Sequence, residues 1–452
     1  MKSFLPACFC LISFLLIGCP DSGVQPVTNP LLLSIEDVTC TEAYLKLSLA
    51  EGETQRTLTL KRDDSTIAVI TMTGNDSLFI DEGLLPKRIY TYTLTASLWS
   101  STAQTTTMDT TDDSFGWQMD TLGNSITNQS VLYDVAIIND TLAYAVGEIH
   151  TKETDRLDST GKWVEAYNAA RWDGVSWKIF RIQFFVTCRQ TDSYPFPAKS
   201  VFAFSEKNVW ISMGGDQVAQ WNGDLQTTTT CLPVISYSTY RLWGDSPASI
   251  IAVGSNGGIV EYNGSSWQKV ESGTNLHLVD IYGSNDVVLA AGVDNINIKG
   301  IIIKKNDGKW ETMAESEIVP PNALFRPKLY GSISSVWIDE KNTIYAGCNL
   351  LFKYQFNKWG YVKSLPENYI GGNPNVYYRG FLTKIRGNKS NDMWIAGDRN
   401  TLRHFNGKTW AQVGLPYDPM SDIIWRSLDV RNNFCVAVGD GWGQAICIRI
   451  KR

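Results

Sequence analysis

The sequence predicts an all-β protein: a small two-sheet sandwich followed by a closed ring of seven four-stranded sheets. Three observations carry this. Apolar and polar residues alternate over short runs, as at 44–49 and 90–95, which is the period-two mark of half-buried strands. Aromatics make up 12% of the 452 residues and 36 residues are glycine, while runs of strong helix formers are scarce. That mix favours strands and turns. From residue 115 onward one pattern of glycine, Asn-Gly and tryptophan recurs along the chain, and such recurrence is the sign of a repeat architecture.

The N-terminal segment reads as an address. Met1-Lys2 supplies a positive charge, and residues 4–17 are an apolar run, too short for a comfortable membrane span and the size of a signal-peptide core. The run ends in Leu16-Ile17-Gly18-Cys19, which resembles the lipobox of bacterial lipoproteins. The resemblance implies a signal peptide over 1–18, cleavage before Cys19, a lipid on its sulfur, and a flexible lipidated tether over 19–30. Position 20 is Pro, so the Asp that retains enteric lipoproteins in the inner membrane is missing, and the outer membrane or the cell surface is expected instead. No later segment has 18 consecutive apolar residues, so the lipid is the expected membrane contact.

Residues 31–111 read as seven short antiparallel strands separated by turn residues. Leu84-Leu85-Pro86-Lys87-Arg88-Ile89-Tyr90 resembles the fibronectin type III signature, in which a Leu, a Pro two residues on and a Tyr four further on form the tyrosine corner. The resemblance implies a structural role for Tyr90 and a spacer role for the domain. The usual Trp of the second strand is missing, with Tyr44 or Leu45 in its place.

Residues 115–452 repeat one unit. Ala252-Val253-Gly254 leads to Tyr262-Asn263-Gly264-Ser265-Ser266-Trp267, and Ile395-Ala396-Gly397 leads to Phe405-Asn406-Gly407-Lys408-Thr409-Trp410. Each unit reads as an inner strand, a strand ending in Gly, a third strand, and a tight Asn-Gly or Asp-Gly turn into a fourth that opens with Trp. Trp177, Trp267, Trp310, Trp359 and Trp410 hold this place, with Leu225 filling the gap; they read as packing residues between sheets. A period of roughly 40–50 residues with four strands is the β-propeller signature. The last unit stops after three strands. Gly116-Trp117-Gln118-Met119-Asp120 matches Thr409-Trp410-Ala411-Gln412-Val413, so an N-terminal strand is expected to close the seventh blade. The chain resembles seven-bladed propellers of bacterial exported proteins, in the broad class that includes Asp-box and WD-type repeats. Its turn lacks the Asp-box Ser and the residue between Asn and Gly, so sialidase-like activity is not implied.

The turns between strands one and two, and three and four, are short. The loops on the other face are long: 147–169, 181–199, 232–240, 292–300, 315–328, 363–380 and 414–425. Long loops gathered on one face mark a binding surface, and they carry aromatics such as Trp163, Tyr194 and Tyr417. At or just before the inner strands stand Tyr240-Arg241, Tyr378-Arg379, Trp425-Arg426 and Lys199. Arg241 and Arg426 each precede their unit's Gly by 13 residues and so read as equivalent. These cations are expected to ring the channel mouth and hold an anionic group, set against local pairing with Asp245, Asp422 or Asp429.

Composition narrows the function. A formal charge of −6 argues against a nucleic-acid partner. Three His in different repeats form no compact metal or catalytic cluster, no CxxC remains among the mature cysteines, and no cofactor motif occurs. Neither metal nor cofactor is expected. Among the cysteines, a turn centred on Gly441 would set Cys435 opposite Cys447 at disulfide distance, and Cys188 and Cys231 follow the fourth strands of neighbouring units as a second candidate pair. The function expected is a monomeric, lipid-anchored, non-catalytic binding or scaffold protein of the bacterial envelope, taking a protein, peptide or glycan partner through the long-loop face. The alternative is a propeller enzyme acting on glycans as a hydrolase or lyase.

Overall fold

The computed structural model describes residues 29–52, 57–233, 238–294, 296–317, 329–347, 350–362, 381–415 and 421–452. The signal peptide, Cys19, most of the tether, Tyr378 and Arg379 lie outside the described residues. Two compact units emerge. Among the described residues, the first is formed by those between 29 and 106, and the second by those between 107 and 452 together with the short segments Thr39–Thr41 and Leu84–Lys87.

The first unit is a two-sheet sandwich. One sheet has Glu42–Leu49 between Leu31–Val38 and Asp76–Glu82; the other runs Ser65–Thr71, Thr57–Arg62, Ile89–Ala96 and Trp99–Thr106. Alternation places Leu33, Leu45, Leu47, Leu58, Leu60, Tyr92 and Leu94 in the interior. A polar group is buried there too. Asp81 accepts both Arg62 Nη1 contacts at 2.9 Å and the Tyr92 hydroxyl at 2.8 Å, so its charge is matched where water is scarce. Tyr90 is buried beneath Arg88, whose guanidinium carbon lies 5.1 Å from the ring centre.

The second unit has seven four-stranded antiparallel sheets among its described residues. Their innermost strands are Val131–Asn139, Ala198–Ser205, Thr239–Ser246, His277–Ser284, Ser335–Ile338, Leu382–Lys389 and Ile424–Arg431. Each touches the next, and the last returns to the first. The seventh sheet is completed by Gly116–Leu122, which pairs with Gln444–Lys451 from Lys451↔Gly116 to Ala445↔Leu122. Apolar residues of neighbouring sheets form the core between them: Leu132, Trp172 and Cys447 between the first and seventh, Trp394, Leu428 and Cys435 between the sixth and seventh.

Two recurring sequence features have clear causes. In four of the third turns the Asn or Asp folds its side chain over the turn: Asn263 Oδ1 accepts the Ser265 and Ser266 amides at 3.0 Å, and Asp173, Asn222 and Asn406 do the same. The next residue must then take a left-handed backbone, as Gly264 does at φ +92°. In the first and seventh sheets the Gly near the end of the second strand faces a bulge in the first. A methyl on Gly147 would strike the Val131 carbonyl, and one on Gly439 the Ile424 carbonyl.

The cysteines divide differently from the expectation. Cys188 and Cys231 are joined, with Cα atoms 5.9 Å apart. The bond ties the loop carrying the short Phe184–Phe185 and Ser193–Tyr194 hairpin to the outer strand of the second sheet. Cys435 and Cys447 are both free and buried. Their hairpin turns at Trp442 and Gly443, whose φ values are 55° and 75°, and not at Gly441. The register therefore sets Cys435 opposite Ile450 and Cys447 opposite Val438. The two thiols lie on opposite faces of the sheet, one in each neighbouring core cluster.

Candidate functional site

The innermost strands carry an irregularity near their starts, a one-residue bulge against the second strand. It falls between Ala198 and Ser200, Thr239 and Arg241, Leu278 and Asp280, Leu382 and Lys384, and Trp425 and Ser427. The residue after each bulge faces the axis of the ring. With Asp134 and Ser335 in the remaining two sheets, these positions form one polar layer: Asp134, Ser200, Arg241, Asp280, Ser335, Lys384 and Ser427.

Two carboxylates organise the layer. Asp134 accepts the Ser200 hydroxyl at 2.7 Å, the Ser427 hydroxyl at 2.8 Å and the Val201 amide at 3.0 Å, and it pairs with Arg241. Asp280 accepts Lys384 Nζ at 2.6 Å, Arg386 Nη2 at 2.9 Å, the Ser335 hydroxyl at 2.6 Å and the Val336 amide at 3.1 Å. Ser200 in turn accepts the Leu242 amide, and Ser335 the Ile385 amide. Each Asp–Ser pair thus links three consecutive sheets. Burial alone would raise the proton affinity of both acids. Arg241 and Lys384 beside Asp134, and Arg386, Lys384 and Arg241 beside Asp280, outweigh it and hold both below the usual carboxylate range. Lys384 is held below the usual lysine range, first by burial and then by Arg241 and Arg386.

The expected cationic mouth is only partly assembled. Arg241 belongs to the axial layer and is committed to Asp134, with Asp280 3.8 Å away; the acids expected from sequence as its partners are not the ones it meets. Nor is it equivalent to Arg426. The strand carrying Arg241 has a second bulge between Gly244 and Ser246, which adds a residue to the count, so Arg241 aligns with Ser427 and Arg426 with Tyr240. Trp425 is 1% exposed, and its indole N–H donates to Asn400 Oδ1 at 2.9 Å; it is a core residue and not a ligand contact. Tyr240 stands edge-on to His277 with ring centres 6.2 Å apart.

Lys199 and Arg426 do come together. Lys199 Nζ lies 3.2 Å from the centre of the Tyr133 ring, and the Arg426 guanidinium carbon lies 6.0 Å from the same ring. Arg426 is paired with Asp440. Lys199 forms no ion pair among the described residues. Burial first, then Arg426, draws its pKa down to about 8, with Glu148 opposing. Sequence reasoning singles out both cations but misses Tyr133, the aromatic floor they share.

Further along the same axis, past the Asp–Arg–Lys layer and toward the ends of the innermost strands, lies a cavity of about 300 Å³. Phe202, Trp243 and Tyr282 line one side and Arg386, Asp429 and Arg431 the other. Of these, sequence reasoning reaches only Asp429, and only as a salt-bridge partner. The available signal was a charged or aromatic residue two places beyond the polar residue of an otherwise apolar strand.

No protein-family model and no curated protein sequence matches this chain. Solved structures do. YCF48 bound to D1 peptide is similar at TM-score 0.51 and 13% identity, over 74% of this chain and 95% of that one. The larger unit is a β-propeller. YCF48 from Cyanidioschyzon merolae matches at TM-score 0.47 and 10% identity, over 74% of this chain and 98% of that one. The WD40 β-propeller domain of Doa1 matches at TM-score 0.48 and 13% identity, over 75% and 97%. At such identities the likeness concerns the propeller fold and no more.

Proposed function

We propose that this chain is a lipid-anchored, non-catalytic binding protein of the bacterial cell envelope, attached through Cys19, with a fibronectin type III-like spacer and a propeller that takes a protein or peptide partner at its long-loop end. The observation that carries the binding site is the Lys199–Tyr133–Arg426 cluster. A half-buried ammonium without a carboxylate partner among the described residues, set beside a guanidinium, suits an anionic group such as an acidic side chain or a chain terminus. The D1 peptide bound to the structurally similar YCF48 is in keeping with a propeller used for peptide capture.

Asp134 and Asp280 are both held ionised by their cations, so neither is poised to give up the proton that a glycosidase's acid must supply. Envelope capture with the full chain and with a Lys199→Ala, Arg426→Ala variant tests the site. The variant is expected to lose at least about tenfold in partner recovery with little change in Tm, because substitutions away from the core alter stability little; equal recovery overturns it. Palmitate labelling that survives Cys19→Ala would overturn the anchor.

A further inference from the structure

We propose that the axial cavity binds a small aromatic monocarboxylate, its carboxylate held by Arg431 and its ring seated against Phe202, Trp243 and Tyr282. This site lies past the polar layer from the Lys199–Arg426 cluster and is independent of it.

Three consecutive sheets place an aromatic residue two positions beyond the polar layer, and these residues, Phe202, Trp243 and Tyr282, line the cavity directly. Trp243 is pinned against the next sheet at Gly283, where any methyl would run into its ring, so this wall is preorganised. Such rings offer a large flat apolar surface on which another ring can pack. A volume of about 300 Å³ is at the small end of ligand pockets, enough for one small ring compound rather than an oligosaccharide.

The opposite wall carries the charge. The cavity lining holds three cations, Lys384, Arg386 and Arg431, against two acids, Asp134 and Asp429. Two of the cations are committed. Lys384 holds Asp280 at 2.6 Å, and Arg386 holds the same carboxylate through both terminal nitrogens. Asp134 is paired with Arg241. Asp429 accepts the Ile137 amide at 2.7 Å and the Val430 amide at 2.9 Å, and the charge of Arg386 acts on it. Arg431 is the cation left over. One of its terminal nitrogens donates to the Ile137 and Ile138 carbonyls, which orients the guanidinium. It forms no ion pair among the described residues, and its Nε and second terminal nitrogen still have hydrogens to donate. It is exposed, so an incoming anion reaches it without crossing the core. A guanidinium presents a planar fork that matches a carboxylate. The excess is a single positive charge, with Asp429 two residues away on the same strand. A monoanion matches that excess. The second charge of a phosphate ester finds no cation left to meet it and faces Asp429.

The test uses the full chain at neutral pH, with calorimetry and the probe's fluorine resonance as readouts. The probes are para-fluorobenzoate, para-fluorobenzamide, para-fluorobenzylamine, acetate and phenyl phosphate. Para-fluorobenzoate is expected to bind, and the neutral amide and cationic amine at least about tenfold more weakly. Acetate, which has no ring, should also be at least about tenfold weaker, and phenyl phosphate no tighter. Arg431→Gln should lose at least about tenfold for para-fluorobenzoate. Asp429→Asn should bind it at least as tightly as the native chain, because a neighbouring negative charge is removed. The Lys199→Ala, Arg426→Ala variant should bind it as the native chain does, which separates this site from the proposed partner site. The comparison of benzoate with benzamide needs no variant, so it holds even if Arg431→Gln misfolds. Absence of para-fluorobenzoate binding, equal binding by the amide, unchanged binding by folded Arg431→Gln, or tighter binding by phenyl phosphate overturns the proposal.

Discussion

The Ser427 hydroxyl donates to Asp134 across 2.8 Å, a bond between the seventh sheet and the first. It belongs to a layer in which two acids, three serines and two cations from seven strands satisfy one another. Such a layer stabilises less than its contacts suggest, because desolvation offsets much of the attraction, but removing one member leaves buried charge unmatched.

Asp280→Asn is therefore expected to cost about 3–5 kcal/mol, since it strands Lys384 and Arg386 together; urea unfolding at neutral pH measures this. The pH dependence has a definite sign. The folded-state pKa of Asp280 lies below its unfolded value, so its contribution is present above about pH 4 and is lost as the pH falls toward the folded value. Acid unfolding should be less steep in the variant. An unchanged acid limb would show that the axial layer is not the element that fails in acid.

Asp339 should behave in the opposite way. It is 1% exposed, its Oδ1 accepts the Thr343 and Lys341 amides, and its Oδ2 has no hydrogen-bond partner. Burial raises its pKa to about 6. The folded state then holds a proton that the unfolded state has released, so stability falls as the pH rises from about 4 to 6. Asp339→Asn, which keeps the shape without the charge, should remove that decline and stabilise the protein by about 2–3 kcal/mol at pH 7. Parallel stability curves for the two proteins between pH 4 and 7 would contradict this.

Gly439→Ala is expected to destabilise by more than about 2 kcal/mol, because the added methyl meets a backbone carbonyl and not a movable side chain. Ala at Gly360, where nothing lies within 4 Å, is the control and should change Tm little. Equal Tm shifts for the two variants would remove the bulge as the reason for the recurring glycine.

The repeats were legible because backbone geometry demanded particular residues. Gly147 and Gly439 face bulge carbonyls, and Asn263 and Asn406 fold over their turns; no other chemistry serves as well at those places. The axial layer was not legible, because its requirement is collective. Seven positions need only balance one another, so Asp, Ser, Arg and Lys share them and no single residue type marks the position in every repeat. Counting back from the glycine failed for Arg426 because a second bulge near Gly244 shifts the count in one sheet and not in the other. The Cys435–Cys447 pairing failed for a local reason: Trp442 adopts a left-handed backbone at φ 55°, a conformation bulky residues seldom take, and this moves the turn away from Gly441.

The pairing of Gly116 with Lys451 also sets an order in time. The Gly116–Leu122 strand leaves the ribosome early but finds its partner only when the Gln444–Lys451 strand has emerged. Until then one edge strand waits unpaired, as exposed edges do in aggregation-prone intermediates. A product that stops before Gln444 has no strand to offer it. The ring shuts only once that late strand has been made, and an unshut ring presents an open sheet edge to chaperones and proteases.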